Sequence, residues 1–431
     1  MLSGRKLIIY NLFPLLAGPF LRWEKHLRRA ASMGFNWVFV NPIQRSGASG
    51  SLYSVADYHQ LDPRLLDASS SMSPQAQLAT AVETARSLGL ELMIDLVANH
   101  CAVDSPLVTA HPEWFVWDAP GRVSNPFCYD DGRKVVWHDL AQFDHVHTKD
   151  KDGLYGYFRS VTEWLYSLGF RAFRCDAAYQ LPSAFWRRLI SDVKSKHPSV
   201  LFLAETLGCS FDKTLQTAKA GFDYIFNSSK WWDLRGDWLI KQSLLLREVV
   251  PSVSFAESHD TPRLAEELAG RVDGLKQRYL VSALFSAGVM MPVGYEFAFR
   301  RRLHVVRTRP EDAEFTGVDI RPYIGKVNAI KATHPVFLEE SPLRIEPSGD
   351  DKVLVLWKGS AHSCEEALII VNRDVDKPHR FRCDDLGRFL ARTLPLVDVS
   401  PDDQRMARVA TKFEYELRPA QGLVLVARPE G

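Results

Sequence analysis

From about residue 7 to residue 335 the chain alternates short β-type runs with longer amphipathic segments, a rhythm that leaves few folds open. Eight runs qualify as strands: Leu7–Tyr10, Trp37–Val40, Leu92–Leu96, Ala172–Cys175, Leu201–Ala204, Tyr224–Phe226, Val253–Ala256 and Val289–Val293. Eight parallel strands with intervening helices close into a barrel rather than a sandwich or a bundle. Helices are expected between them at Leu21–Met33, Pro74–Leu88, Tyr157–Leu168, Ser183–Lys196 and Leu275–Ser286. Gly34, Gly89, Gly169 and Gly288 suit helix C-caps, and Pro74 and Pro182 stand where proline is tolerated at a helix start.

Two stretches depart from the rhythm. Cys101 to Lys151 has no long amphipathic helix, but prolines, aromatics and turn signals such as Asp130-Asp131-Gly132, as expected of a small inserted unit or lid. Beyond Leu343 the pattern turns to β-like runs at Val353–Trp357, Ala367–Asn372, Phe413–Leu417 and Gly422–Val426. The expected architecture is α/β: a (β/α)8 TIM barrel from residues 1–100 and 152–342, an inserted subdomain at 101–151 after strand 3, and a C-terminal all-β sandwich domain at 343–431.

A net charge of +1 over 431 residues gives no global reason to expect a nucleic-acid or membrane partner. Arg300, Arg301, Arg302 and Arg307 form a local basic run, read as a solvated face. The 6 cysteines lack CxxC or Cys/His ligand spacing, so neither a zinc site nor a disulfide framework is expected. No segment reaches the roughly 18 apolar residues of a membrane helix. Leu7-Ile8-Ile9-Tyr10 is too soon interrupted by Asn11 and Pro14 to be a signal peptide, and a cytoplasmic protein is expected.

Four of the strand-like runs end in acids or acid–histidine pairs: Asp95-Leu-Val-Ala-Asn-His100, Gly169-Phe-Arg-Ala-Phe-Arg-Cys-Asp176, Leu201-Phe-Leu-Ala-Glu205 and Phe255-Ala-Glu-Ser-His-Asp260. A parallel barrel delivers such residues to one open end, gathering Asp176, Glu205 and Asp260 in one pocket. Each acid alone reads more simply as a helix cap or surface charge; four in one order do not. Two carboxyl groups facing one bond suffice to cleave a glycosidic linkage, provided one is ionised and the other protonated. Arg174 shares a strand face with Asp176 and would hold it ionised as nucleophile. Glu205 ends an apolar run where desolvation would raise its pKa into the general-acid range. His100 and His259 can donate hydrogen bonds to sugar hydroxyls, and Asp95 and Arg263 are placed with them as substrate-binding residues.

These segments resemble the four sequence regions of the α-amylase family of retaining glycosidases and transglycosylases. Tyr10-Asn-Leu-Phe-Pro14 is similar to that family's first-strand motif, and Trp137-His-Asp-Leu-Ala-Gln-Phe-Asp144 to the end of its inserted domain. Gly288, Pro292, Tyr295 and Glu296 resemble its last-strand signature. Tyr53-Ser-Val-Ala-Asp-Tyr58 resembles the loop whose tyrosine stacks on the sugar at the cleavage subsite, which makes Tyr53 a substrate-binding residue by resemblance. The resemblance implies double displacement: Asp176 attacks, Glu205 serves as acid then base, and Asp260 with the two histidines grips the distorted ring.

Where many amylases carry a Lys-His pair lining the acceptor subsites, this chain has Tyr179-Gln180, so Tyr179 is expected to touch substrate there. Gly294-Tyr-Glu-Phe297 and Asp319-Ile-Arg-Pro-Tyr-Ile324 resemble the maltosyl-transferring branch. Phosphate-dependent members of that branch carry Asn where this chain has Ala177, so phosphate use is not expected. The leading expectation is hydrolysis of α-1,4 bonds in an α-glucan or maltooligosaccharide, without cofactor or metal. An α-glucan transglycosylase such as a maltosyltransferase comes next, then a non-catalytic glycan-binding relative and a metal-dependent isomerase. Oligomeric state is left open.

Overall fold

Parallel strands β1 (Leu7–Leu12), β2 (Trp37–Val40), β3 (Glu91–Leu96), β4 (Ala172–Cys175), β5 (Leu201–Ala204), β6 (Tyr224–Phe226), β7 (Ser252–Phe255) and β8 (Gly288–Pro292) pair in sequence order. The β1–β8 ladder, with Leu7 opposite Gly288, closes them into a barrel. The structure is a computed structural model that describes residues 6–428 except 120, 131–132, 232–233, 235–237, 392–394 and 403–404.

Around the strands lie α1 (Glu24–Ser32), α2 (Pro74–Ser87), α3 (Lys151–Ser167), α4 (Ser183–Lys196), α5 (Phe211–Ala218), α6 (Trp238–Leu246), α7 (Val272–Phe285) and α8 (Arg321–Thr333). Helix α7 begins three residues before the expected Leu275, and two further starts differ for local reasons. The first helix is split, because the chain passes through a tight turn at Phe20–Arg22 before α1 begins. Helix α3 starts six residues early, at Lys151, because the Asp150 side chain caps it by accepting from Gly153 N at 2.9 Å.

Side chains on a strand alternate between the barrel interior and the outer, helix-covered face. Leu7, Ile9, Trp37, Phe39, Met93, Ala172, Leu201, Leu203, Val253 and Phe255 fill the interior. Ile8, Tyr10, Val38, Ile94, Phe173, Cys175 and Phe202 belong to the outer core beneath the helices. Continuing the inner set by two residues reaches Asn11, Asn41, Asp95, Arg174 and Glu205, and by four from Ala172 reaches Asp176. The period of the strand therefore aims this polar set at the top of the barrel.

The segment after β3 contains a short helix at Pro106–Ala110 and antiparallel pairings of Phe127–Asp130 with Arg133–Val136 and of His100–Ala102 with Leu140–Gln142. Asp131 and Gly132 of the expected turn lie outside the described residues. Near the C-terminus β9 (Leu343–Glu346), β10 (Val353–Gly359), β11 (Glu366–Asn372), β12 (Leu396–Asp398) and β13 (Gly422–Ala427) form an antiparallel sheet, ordered β9-β10-β11-β13-β12. A separate ribbon pairs His379–Cys383 with Phe413–Leu417.

Two buried lysines lie where this sheet meets the barrel, and Lys358 of β10 joins the two. Lys358 Nζ donates to Leu284 O (3.2 Å) and Phe285 O (2.8 Å), carbonyls left over at the end of α7. Lys331 Nζ donates to Ser286 O (2.7 Å) and Phe337 O (2.6 Å). Burial disfavours the ammonium form and pulls Lys358 down to about 8.

At the closing ladder space is tight: a Cβ on Gly288 would stand 2.8 Å from Val253 Cγ2 and 3.2 Å from Leu7 Cδ2. Gly288→Val is expected to lose about 1–3 kcal/mol of stability through overpacking. A chemical-denaturation midpoint lower than wild type, with an unchanged far-ultraviolet spectrum, is the expected reading.

Candidate active site

Arg174 projects from the last turn of β4's inner face and is only 5% exposed. Its Nη1 donates to Asp95 Oδ1 at 2.7 Å and to Asp176 Oδ1 at 2.9 Å. A guanidinium stays charged at any working pH, so it needs anionic partners when buried. Asp176 retains 14% of its side-chain surface in the open pocket, whereas Asp95 is fully covered. Burial drives Asp95 up to about 6 despite the lowering pull of Arg174, with the charge of Asp176 adding to the rise.

Glu205 follows β5 and is 8% exposed. Its Oε2 accepts from Ala177 N at 3.0 Å and its Oε1 from Leu207 N at 2.5 Å. Desolvation raises its carboxyl to about 7; Arg174 and the Leu207 N–H oppose that rise, while Asp176 and Asp260 add to it. Ala177 reaches Glu205 by taking a left-handed conformation, φ 43° and ψ 40°, a strained geometry for a residue with a Cβ. Strain sits between the two acids, on the residue that links them.

Asp260 and His259 come from the loop after β7. Asp260 keeps 45% of its side-chain surface exposed, and its Oδ2 lies 3.0 Å from His259 Nε2. The enclosing pocket alone would raise its carboxyl, but His259, Arg174 and Arg302 outweigh that and hold it at about 2. His259 stacks on Tyr53 with ring centroids 5.6 Å apart and planes 7° from parallel. The Tyr53 hydroxyl is 2.7 Å from Asp95 Oδ2 and 2.7 Å from His259 Nε2, so one residue ties β3's end to β7's loop.

His100 Nε2 and His259 Nδ1 are buried nitrogens without a hydrogen-bond partner among the described residues. Burial lowers the His100 pKa, which favours its neutral ring. Polar atoms left unpaired at 4% and 3% residue exposure are groups that a polar ligand would satisfy.

The structure thus brings together Tyr53, Asp95, His100, Arg174, Asp176, Glu205, His259 and Asp260. Tyr179 stands half-buried beside Glu205 and Asp176, whose charges help raise its hydroxyl pKa after burial itself. Arg263 is the exception, and its expected substrate contact is corrected. It is 1% exposed, and its donors are taken by Glu257 Oε1 (2.7 Å), Val293 O (2.9 Å) and Arg301 O (3.2 Å). Arg263 holds loops in place because a buried guanidinium beside the buried Glu257 is satisfied there.

Three polar residues were overlooked in the sequence. Asn41 Nδ2 donates to the Tyr53 hydroxyl at 2.8 Å, and Asn11 Nδ2 donates to Asn41 Oδ1 at 3.0 Å. Both fall on the inward parity of β1 and β2, a signal that was there to be read. Arg302 belongs to the basic run read as solvated, yet its guanidinium donates to the Asp260 carbonyl.

The family described as "Glycogen debranching enzyme, glucanotransferase domain" matches residues 1–117. The chain is similar to an alpha-1,4-glucan:maltose-1-phosphate maltosyltransferase of Burkholderia pseudomallei, 27% identical over 84% of this chain and 32% of that protein. A protein of the same name from Myxococcus xanthus is 26% identical over 85% of this chain and 58% of its own length. The chain therefore spans between a third and three-fifths of these relatives. Among solved structures, a maltogenic alpha-amylase of Thermotoga neapolitana superposes with TM-score 0.78 and 22% identity, covering 98% of this chain and 99% of that one. An alpha-amylase of Geobacillus thermoleovorans, solved with acarbose, gives 0.79 at 16% identity, covering 99% and 100%. These likenesses show a shared fold.

Removing Asp95 would leave Arg174 buried with one carboxylate fewer. Asp95→Ala is expected to lose about 3–5 kcal/mol of folding stability, read as a lower denaturation midpoint.

Proposed function

The profile match, the relatives and the fold together support an α-amylase-family protein near the maltosyltransferase branch, and from that premise we propose a retaining enzyme that acts on α-1,4-linked glucans through a covalent glycosyl-enzyme. The observation that carries this reading is the separation of two neighbouring acids. Asp176 is bound to Arg174, while Glu205 is raised to about 7.

In this proposal one oxygen of Asp176 attacks the anomeric carbon as the glycosidic bond breaks. Arg174 occupies Oδ1 and leaves Oδ2 for bond formation. Glu205, protonated up to about pH 7, gives its proton to the departing oxygen. The resulting Glu205 carboxylate then takes a proton from water or from a sugar hydroxyl, whose oxygen displaces Asp176 with retention. Asp260 stays ionised and, with His100 and His259, holds the sugar hydroxyls and opposes the positive charge that develops at the ring.

Hydrolysis and transfer compete for the same intermediate. The maltosyl transfer for which these relatives are named moves transfer of a maltosyl unit to an α-1,4-glucan ahead of hydrolysis. It also adds maltose-1-phosphate to the donors that must be tried, although Ala177 stands where a phosphate-dependent pattern has Asn.

Incubation with maltooligosaccharides, with and without maltose-1-phosphate, and mass analysis of the products tests the reading. Longer oligosaccharides indicate transfer and shorter reducing sugars hydrolysis; no product from any donor contradicts both. Asp176→Asn should abolish either activity. Since the acid must be protonated, kcat/KM should fall as pH rises through about 7. With an activated donor that needs no proton, the Glu205→Gln enzyme should show no such fall in the rate of glycosyl-enzyme formation.

A further inference from the structure

The group that leaves the anomeric carbon receives its proton from Glu205 in the proposed mechanism, so it departs on the Glu205 side of the pocket. A sugar acceptor enters on that side as well. The chemistry of that side is therefore set by what surrounds Glu205 away from Asp176.

The turn after β4 borders it: the Ala177 N–H donates to Glu205 Oε2 at 3.0 Å, and Tyr179 follows two residues on. The Tyr179 hydroxyl is raised first by burial and then by the Glu205 charge. The Cys209 thiol is pushed up to about 12 by burial and by the same carboxylate, with Lys213 pulling the other way. Lys213 itself extends from the first turn of α5 and places its ammonium 5.1 Å from the centroid of the Tyr179 ring. Its backbone is fixed by the cap at Ser210, whose hydroxyl accepts from Lys213 N at 3.4 Å.

Gln180 is committed elsewhere. Its Oε1 accepts from Asn99 at 2.8 Å, and its Nε2 faces Phe127 O at 3.5 Å and the Tyr179 hydroxyl at 3.4 Å. That leaves the ring of Tyr179 and the ammonium of Lys213 to meet an incoming molecule. Lys213 is exposed, and among the described residues no carboxylate pairs with it. An exposed ammonium held only against a ring face is weakly held, and it exchanges that contact readily for the oxygens of a ligand.

We propose that Lys213, with Tyr179, forms the acceptor subsite for the non-reducing end of a neutral glucan chain and sets the choice between sugar hydroxyl and water. The ring offers an apolar platform to a sugar face, and the ammonium donates to its hydroxyls. With the acceptor seated, its hydroxyl proton passes to Glu205, its oxygen bonds to the anomeric carbon, and the ester to Asp176 breaks. An empty subsite admits water to the same step.

The inference rests on the glycosyl-enzyme reading and is tested with α-maltosyl fluoride as donor and maltotetraose as acceptor. Fluoride release without acceptor reports formation and turnover of the intermediate; the acceptor KM and the ratio of lengthened oligosaccharide to maltose report the subsite. Lys213→Met is expected to raise the acceptor KM about tenfold, beyond any change in acceptor-free fluoride release, because a charged hydrogen-bond donor is lost. Lys213→Arg should restore most of the transfer ratio, and Tyr179→Leu should lower it. If the wild type releases fluoride and Lys213→Met keeps its acceptor KM and product ratio, the role of Lys213 is overturned while the intermediate stands. Absence of fluoride release from the wild type would overturn the glycosyl-enzyme reading, and this inference with it.

Discussion

A single guanidinium, Arg174, lies between two carboxylates that have different work to do. It bonds the buried Asp95 at 2.7 Å and the open Asp176 at 2.9 Å. The first contact anchors a charge that would otherwise be unsupported in the barrel interior; the second positions the acid that faces the pocket. Everything else around the site adjusts to that anchor. Tyr53 caps the far side of Asp95 and reaches His259, and His259 in turn meets Asp260. Three strands are thereby held in one electrostatic unit, which fixes the relative placement of Asp176 and Asp260 before any sugar arrives.

Glu205 lies within the reach of that charge and is nonetheless pushed to about 7, because desolvation outweighs the attraction of Arg174. Glu205 and Asp260 are therefore set far apart, the one raised to about 7 and the other held at about 2. The strained Ala177 links Asp176 to Glu205 physically, carrying the chain beyond Asp176 into a turn whose N–H binds the Glu205 carboxyl. The roles proposed for these acids come from their surroundings, since all three groups are ordinary carboxyls.

Much of this was legible in the sequence because strands buried on both faces read as apolar runs. Leu201–Ala204 and Ala172–Cys175 are strands with the expected bounds, and the acids that end them stand at the top of the barrel by parity alone. Legibility failed where local signals were weak. Helix α3 hides its start behind Gly153 and Gly156, residues that lower the helical signal. Helix α5 has only eight residues, too short a stretch to establish a period, and α6 is apolar on most of its length, which blurs its polar face. The His379–Cys383 strand carries alternating arginines and pairs in a ribbon apart from the main sheet. The sequence does not show where the long Arg263 side chain turns; it is buried against Glu257, Val293 and Arg301. Lys213 was invisible because nothing along the chain connects it to Tyr179; only the packing of α5 on the turn after β4 does.

The most direct measurement is the identity of the residue that carries the sugar in mid-reaction. Intact-protein mass spectrometry after reaction with a 2-deoxy-2-fluoro maltosyl fluoride, whose glycosyl-enzyme turns over slowly, should show one added glycosyl unit, and peptide mapping should place the ester on Asp176. Formation of product of inverted configuration with no covalent species, or an ester mapped to any other carboxylate, would contradict the account.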